Sequence, residues 1–496
     1  MPKHAGSNIT LSGYGRISQS VERDHGVAVM YPMIPVVLLG ECGGRSYIDA
    51  AHQSSIWHIY IYLVSFTAVL ALYSMGKTLF KSRKAALLAS AVFMFSPRFF
   101  AEIHYNNKDV LLLVLTVDML ALCISVADGR RKTGSFSVGK IILLSFTGGL
   151  VMNTKVAGIA LVILFGLLYI SLMVLYEVPV KKIILVSAST LCMAGAFYVM
   201  LTPAMWGGIR GVLSFHKYLT LNAVNFARWN GNILFEGELY KHSVNPLPPL
   251  YLLKMILFTT PLYITVLFAA GMAALLVGLF REKKKFFKKA ENLTVLFCAA
   301  EFAGPITFAT IFRVHVYNGW RHFYFTYLGI AMVGVYGAVR LTQMLKGKTL
   351  RKIFELSVTL CILLSVAGIA INHPFEHSYY NFLVSNASER YEMDYWNVGD
   401  KSVLKAILKD SSDTAGPVKV SATDANSMQG LQKITKTYDL RDKIWLFEEP
   451  SDAAYVVENV SYAIIAGKPV MDAEQFEILE KLYSYGNEVY VIYKHK

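Results

Sequence analysis

Cysteine is scarce, five in 496 residues. Cys123, Cys192, Cys298 and Cys361 fall inside apolar runs and Cys42 stands apart, which excludes a disulfide framework and cysteine-spaced zinc sites. Acidic residues are also few, 34 against 48 lysines and arginines, for a formal net charge of +14. That surplus lies in short stretches between apolar runs, GKTLFKSRK, GRRKT, VKK, REKKKFFKK and LKGKTLRK, and not on a folded basic domain. The pattern argues against a nucleic-acid partner and matches the retention of Lys and Arg on the cytoplasmic side of a bilayer. Three further features are missing: a signal-peptide pattern at the start, a phosphate-binding glycine loop in the stretch after about residue 398, and an internal repeat of fixed period.

What is abundant is apolar sequence, 54% of the chain, gathered into blocks. A helix needs about 20 such residues to cross a bilayer while satisfying its own backbone. The block at 56–75 meets this, and others follow at 85–97, 110–127, 157–176, 183–202, 256–280, 292–312, 323–341 and 354–371, with a shorter one at 141–152. About ten crossings are expected. The fold class is therefore mainly α, a polytopic transmembrane helical bundle over 56–372. Residues 1–55 form an extracytoplasmic N-terminal segment, and 373–496 a small extracytoplasmic α/β domain built on KSVLKAILKD, PVKVSA, AAYVVE and EVYVIY. The run at 27–40 is too short to span and contains two prolines, as an interfacial element would. An N-terminal segment on the outer side implies that a first transmembrane helix is missing before it. The loop at 203–250 reads as an interfacial helix followed by a proline-rich return.

With the basic loops inside, the polar motifs fall on the outer face. SPRFFAEIHYNNKD, residues 96–109, puts Glu102, Asn107, Lys108 and Asp109 between two apolar blocks. They would either wall a polar cavity or cap the next helix, with Asp109 as its N-cap. Lys155 in MNTKVAG is a lone cation at an outer turn, suited to a phosphate or to snorkelling. RVHVYNGWRHFYF brings Arg321 and His322, and a guanidinium can grip a phosphate with two parallel bonds; an interfacial aromatic belt is the competing explanation. Glu22 and Asp24 in ERDHG offer a carboxylate for general-base work, though charged loops are usually just solvated. Asp118 and Glu301 are intramembrane acids, for which one hydrogen-bonded partner each would suffice.

Taken in order, ERDHGVAV, SPRFFAEIHYNNKD, MNTKVAG, NILFEGELYKHSVNPLPPLYLLKMILFTTPL, YNGWRHFYF, HPFEHSYYNFLV and YEMDYWNVG resemble segments of bacterial GT-C class membrane glycosyltransferases of the protein-mannosyltransferase and aminoarabinose-transferase branch. The resemblance implies an inverting transferase moving a sugar from a polyprenyl-phosphate donor to an extracytoplasmic acceptor at the plasma membrane. It implies Asp24, or Glu22, as base. Glu102, Lys108 and Asp109 would line the cavity, where a divalent cation, Mg or Mn, is conceivable. Lys155 and Arg321 would neutralise the donor phosphate, with Asn107, His58 and His322 in supporting places. A flippase for a lipid-linked sugar and an inactive membrane scaffold are the alternatives, the former requiring two matching halves with broken helices.

Overall fold

The computed structural model describes residues 26, 28–41, 48–226, 228–467 and 471–496. A 3-10 turn at Ala28–Met33 leads into the short helix α1 (Ile34–Glu41), lying outside any span-length helix, as the two prolines imply. The bundle follows: α2 (Ala50–Phe80), α3 (Arg83–Met94), α4 (Pro97–Glu102), α5 (Asp109–Thr133), α6 (Val138–Thr154), α7 (Ala157–Leu175) and α8 (Val180–Leu201). After α9 (Gly208–Phe226) and the hairpin β1 (Ile233–Phe235) and β2 (Glu238–Tyr240) come α10 (Tyr251–Thr259), α11 (Leu262–Glu282), α12 (Ala290–Phe312), α13 (Tyr327–Met344) and α14 (Lys348–Asn372).

Among the described residues eight helices are long and apolar enough to cross a membrane, fewer than the ten apolar blocks. The block at 85–97 becomes the 12-residue α3, and the one at 141–152 lies in the 17-residue α6. At 1.5 Å per residue neither reaches across about 30 Å of hydrocarbon.

Burial sorts the eight. In α14 only 6% of the apolar window is buried, whereas α5 and the Arg321–Met344 stretch are each 78% buried and form the centre of the bundle. α5 is built for its direction, with Asp109 in the first turn, Arg130, Arg131 and Lys132 in the last, and Gly134 closing it in the left-handed region. α11 and α13 touch backbone to backbone: a Cβ at Gly337 would lie 2.2 Å from the Leu267 carbonyl oxygen, so only glycine allows that approach. Both intramembrane acids have a partner. The Gly329 amide donates to Glu301 at 2.9 Å, and the Thr67 hydroxyl to Asp118 at 2.6 Å.

The C-terminal unit starts with α15 (Ala387–Arg390) and α16 (Asp400–Asp410), then β3 (Val418–Ala422), α17 (Ala425–Thr437), β4 (Ile444–Leu446), β5 (Tyr455–Asn459), α18 (Val460–Ala466), β6 (Phe476–Ser484) and β7 (Asn487–His495). Its sheet runs β4-β3-β5-β7-β6, parallel around β3 and antiparallel around β7. β4 and β6 escaped the sequence reading because one has three residues and the other is an edge strand of mixed charge. The unit is tied to the bundle. Asn381 donates from its side chain to the Leu257 and Thr260 carbonyls, and the Tyr485 amide donates to Asn372.

Candidate functional site

Both central helices begin with charge at the same end of the bundle. At the start of α5, Asn106 makes the cap: its Oδ1 accepts from the Lys108 amide at 3.2 Å and the Asp109 amide at 2.8 Å. The capping role expected of Asp109 belongs to Asn106, three residues earlier, which leaves the Asp109 carboxylate free to face outward from the helix. Lys155, just past the end of α6, donates to Asp109 Oδ1. On the 3-10 turn leading into α13, His322 Nδ1 stands 3.7 Å from Asp109 Oδ1 and 3.4 Å from Lys155 Nζ. Arg321 Nε lies 4.0 Å from Asp109 Oδ2. Side-chain exposures of 15% for Lys155, 12% for Arg321, 11% for His322 and 6% for Asp109 show a partly sheltered cluster that solvent still reaches. Among the described residues of the cluster one carboxylate faces two permanent cations, an excess of positive charge suited to an anion.

Arg321 does not rely on Asp109 alone. Its guanidinium carbon sits 4.9 Å from the Tyr317 ring centroid and 4.9 Å from that of Trp396, with Tyr395 at 5.7 Å. Aromatic faces fix a cation without neutralising it. Tyr395 and Trp396 belong to the C-terminal unit, and what holds them is Glu102. That carboxylate is fully buried and takes four donors: Asn106 Nδ2 at 2.7 Å, Tyr395 OH at 2.9 Å, Tyr324 OH at 3.2 Å and Trp396 Nε1 at 3.2 Å. Three of these donors meet at Oε1 and one at Oε2, so the carboxylate ties the start of α5, the turn before α13 and the C-terminal unit together.

Behind Glu102 lies a second polar layer. Burial pushes the Glu392 carboxyl up to about 7, against the pull of the Gly319 amide and Arg321. Burial also raises Asp394, but the His377 ring, 3.2 Å away, together with the Val398 and Gly399 amides holds it below the usual carboxylate range.

The structure therefore brings Asp109, Lys155, Arg321 and His322 together and sets Glu102 beneath them. Asn107 and Lys108 lie in the turn that Asn106 shapes. His58 is elsewhere, on the exposed face of α2 one turn from Tyr62, whose ring stacks on His104 at 4.9 Å. Glu22 and Asp24 lie outside the described residues. Gly26 packs so closely on α6 that a Cβ there would meet the Asn153 carbonyl, and the Ala28 amide donates to Asn153 Oδ1 at 3.1 Å. Asn153 is two residues from Lys155. Asn106 belongs to the polar loop at 96–109 that the sequence singles out, whereas sequence reasoning missed Tyr317, Tyr395 and Trp396 as site residues, although YNGW and YEMDYW carried the signal.

Among the described residues no group of three or more His, Cys, Asp or Glu side chains is arranged to hold a metal. Among the described residues the donor set around Asp109 does not fit Mg or Mn, because its one carboxylate is already engaged by cations. An apolar cavity of about 420 Å³ lies at the turn from α8 into α9, lined by Val199, Met205, Trp206, Ile209, Val212 and Leu213. At the end of α8, Asn153 Nδ2 donates to Thr202 Oγ1 at 2.8 Å. α9 exposes Ile209, Leu213 and Leu221, as an interfacial helix does.

No family model matches the chain, and no curated protein does. Among solved structures it is similar to ArnT from Cupriavidus metallidurans bound to undecaprenyl phosphate, at 12% identity over 95% of this chain and 88% of that one, with a TM-score of 0.42. At that score residues are not paired between the two chains.

Proposed function

We propose that the chain is a membrane glycosyltransferase that passes a sugar from a polyprenyl-phosphate donor to a hydroxyl-bearing acceptor. The observation that carries this reading is the partly sheltered Lys155 and Arg321 pair around Asp109, at the common end of the two most buried helices. Sequence resemblance to GT-C transferases supports it, and the apolar cavity at the turn from α8 into α9 suits a stretch of polyprenyl chain.

In this reading the donor phosphate displaces part of the Asp109 contact and binds Lys155 and Arg321. The acceptor hydroxyl oxygen attacks the anomeric carbon from the face opposite the phosphate, and the bond from that carbon to the phosphate oxygen breaks. The electron pair stays on the leaving phosphate, where the two cations stabilise it. The hydroxyl proton passes to a carboxylate, Asp24 or Glu22 by the resemblance. Gly26, two residues beyond Asp24, packs on Asn153 close to Lys155, consistent with that assignment.

Sugar transfer by the purified chain in lipid, measured across a panel of labelled polyprenyl-phosphate sugars, tests it. Transfer lost in Lys155→Met and in Asp24→Asn, with donor binding lost only in the first, is the expected result. Donor binding without transfer from any donor would leave a flippase or a scaffold. The charged cluster gathers at one end of the bundle, which favours a fixed one-sided site over alternating access.

A further inference from the structure

The two intramembrane acids have different surroundings. Glu301 is fully buried between α12 and α13. Asp118 is part-exposed on a helix that otherwise disappears into the bundle: from Asp109 to Val117 every residue of α5 is buried. Counting along α5, the partly open positions in the next two turns are Ala121, Leu122 and Ser125, spaced as one helical stripe. α2 reaches the stripe at one end, where the exposed Thr67 donates to Asp118 Oδ2, and α6 reaches it at the other, where Lys140 Nζ donates to Ser125 Oγ at 2.8 Å. α2 and α6 both pack along α5, so the stripe is the floor of a groove between them. The Ala28–Glu41 segment closes its outer end, joined to α2 through Tyr60 and to α6 through Asn153.

A carboxyl nine residues into a 25-residue span sits near the middle of the hydrocarbon. Intramembrane acids almost always face the bundle interior or a partner, because lipid cannot solvate them. Here one oxygen has the Thr67 hydroxyl, and that hydroxyl is the one hydrogen-bond partner found for Asp118 among the described residues. Ala121 and Ser125, four residues apart, are small enough to let another backbone approach closely.

We propose that this groove is the docking surface for a transmembrane helix of a partner protein carrying a lysine or arginine at the depth of Asp118. Charge complementarity selects that occupant. A second copy of this chain, docking by the same stripe, would set carboxyl against carboxyl, and a lipid tail would offer nothing to the second Asp118 oxygen, which Thr67 does not reach. With the outer end closed, the partner helix enters from the face where α5 ends.

The test uses the full chain in phosphatidylcholine nanodiscs, labelled on its C-terminal unit. Two synthetic leucine-rich helices of about 22 residues, one with a single central lysine and one without, are titrated by energy transfer. The expected result is affinity about tenfold higher for the lysine helix, on the scale of one interhelical polar contact. Asp118→Leu removes the preference, and Ala121→Phe, which blocks the groove and leaves the acid in place, weakens binding of the lysine helix. Equal affinity for the two helices, or a preference that survives Asp118→Leu, overturns the proposal.

Discussion

Asp109 is surrounded by more positive charge than it can neutralise, and this sets its behaviour on substitution. Asp109→Asn removes the competitor for Lys155 and Arg321, so donor-lipid affinity is expected to hold or tighten. Lys155→Met should weaken it about tenfold or more, the value of a sheltered charge-assisted bond to phosphate. Quenching of intrinsic tryptophan fluorescence by an undecaprenyl-phosphate titration reads both. Glu392 makes a separate prediction. Its folded value of about 7 lies above that of an unfolded glutamate, so the native state holds the proton more tightly. The resulting stability is complete below about pH 4.5 and is lost as pH rises towards 7. Glu392→Gln should flatten that part of the Tm-against-pH curve and raise Tm above neutrality, in thermal unfolding followed in detergent.

At the scale of elements, the segment from Tyr391 to Trp396 matters more than its length suggests. It is irregular backbone, yet it delivers the Tyr395 and Trp396 rings both to Arg321 and to the buried Glu102 carboxylate. Trp396→Ala is expected to cost about 0.5–2 kcal/mol of the cation's fixation and to lower donor affinity accordingly. Glu102→Gln should destabilise the fold by about 1–3 kcal/mol, because an amide in that place must leave at least one of the four surrounding donors poorly met. Calorimetry of the two variants separates them: Trp396→Ala acts mainly on binding, Glu102→Gln mainly on Tm. The helix pair α11 and α13 is as intolerant, since a side chain at Gly337 has no space before the Leu267 carbonyl.

For the whole molecule, the arrangement places the C-terminal unit at the end of the bundle where Asp109, Lys155 and Arg321 gather, and the basic turns at the other. By the positive-inside rule those turns are expected on the cytoplasmic side. A cysteine placed at Ser412 in a cysteine-free background is expected to react with an impermeant maleimide in intact cells, and one at Lys284 only after permeabilisation. Reversed labelling would overturn the outside placement of the site.

Apolar blocks, basic turns and polar motifs were enough to read a helical membrane protein with charged groups at one face, because spanning segments and loop charge are local properties of the chain. The sequence also named Asp109, Lys155, Arg321 and His322, since ionisable residues at the edge of apolar runs are conspicuous wherever the helices end up. It could not say which helices lie at the centre: α5 and α14 are similarly apolar, and only packing leaves one enclosed and the other in lipid. Nor could it separate Glu102 from Asp109, two carboxylates seven residues apart, one with three of its four donors 222 to 294 positions away and the other facing the Lys155 and Arg321 cations. That distinction is decided by contacts distant in sequence, which exist only once the C-terminal unit has docked on the bundle.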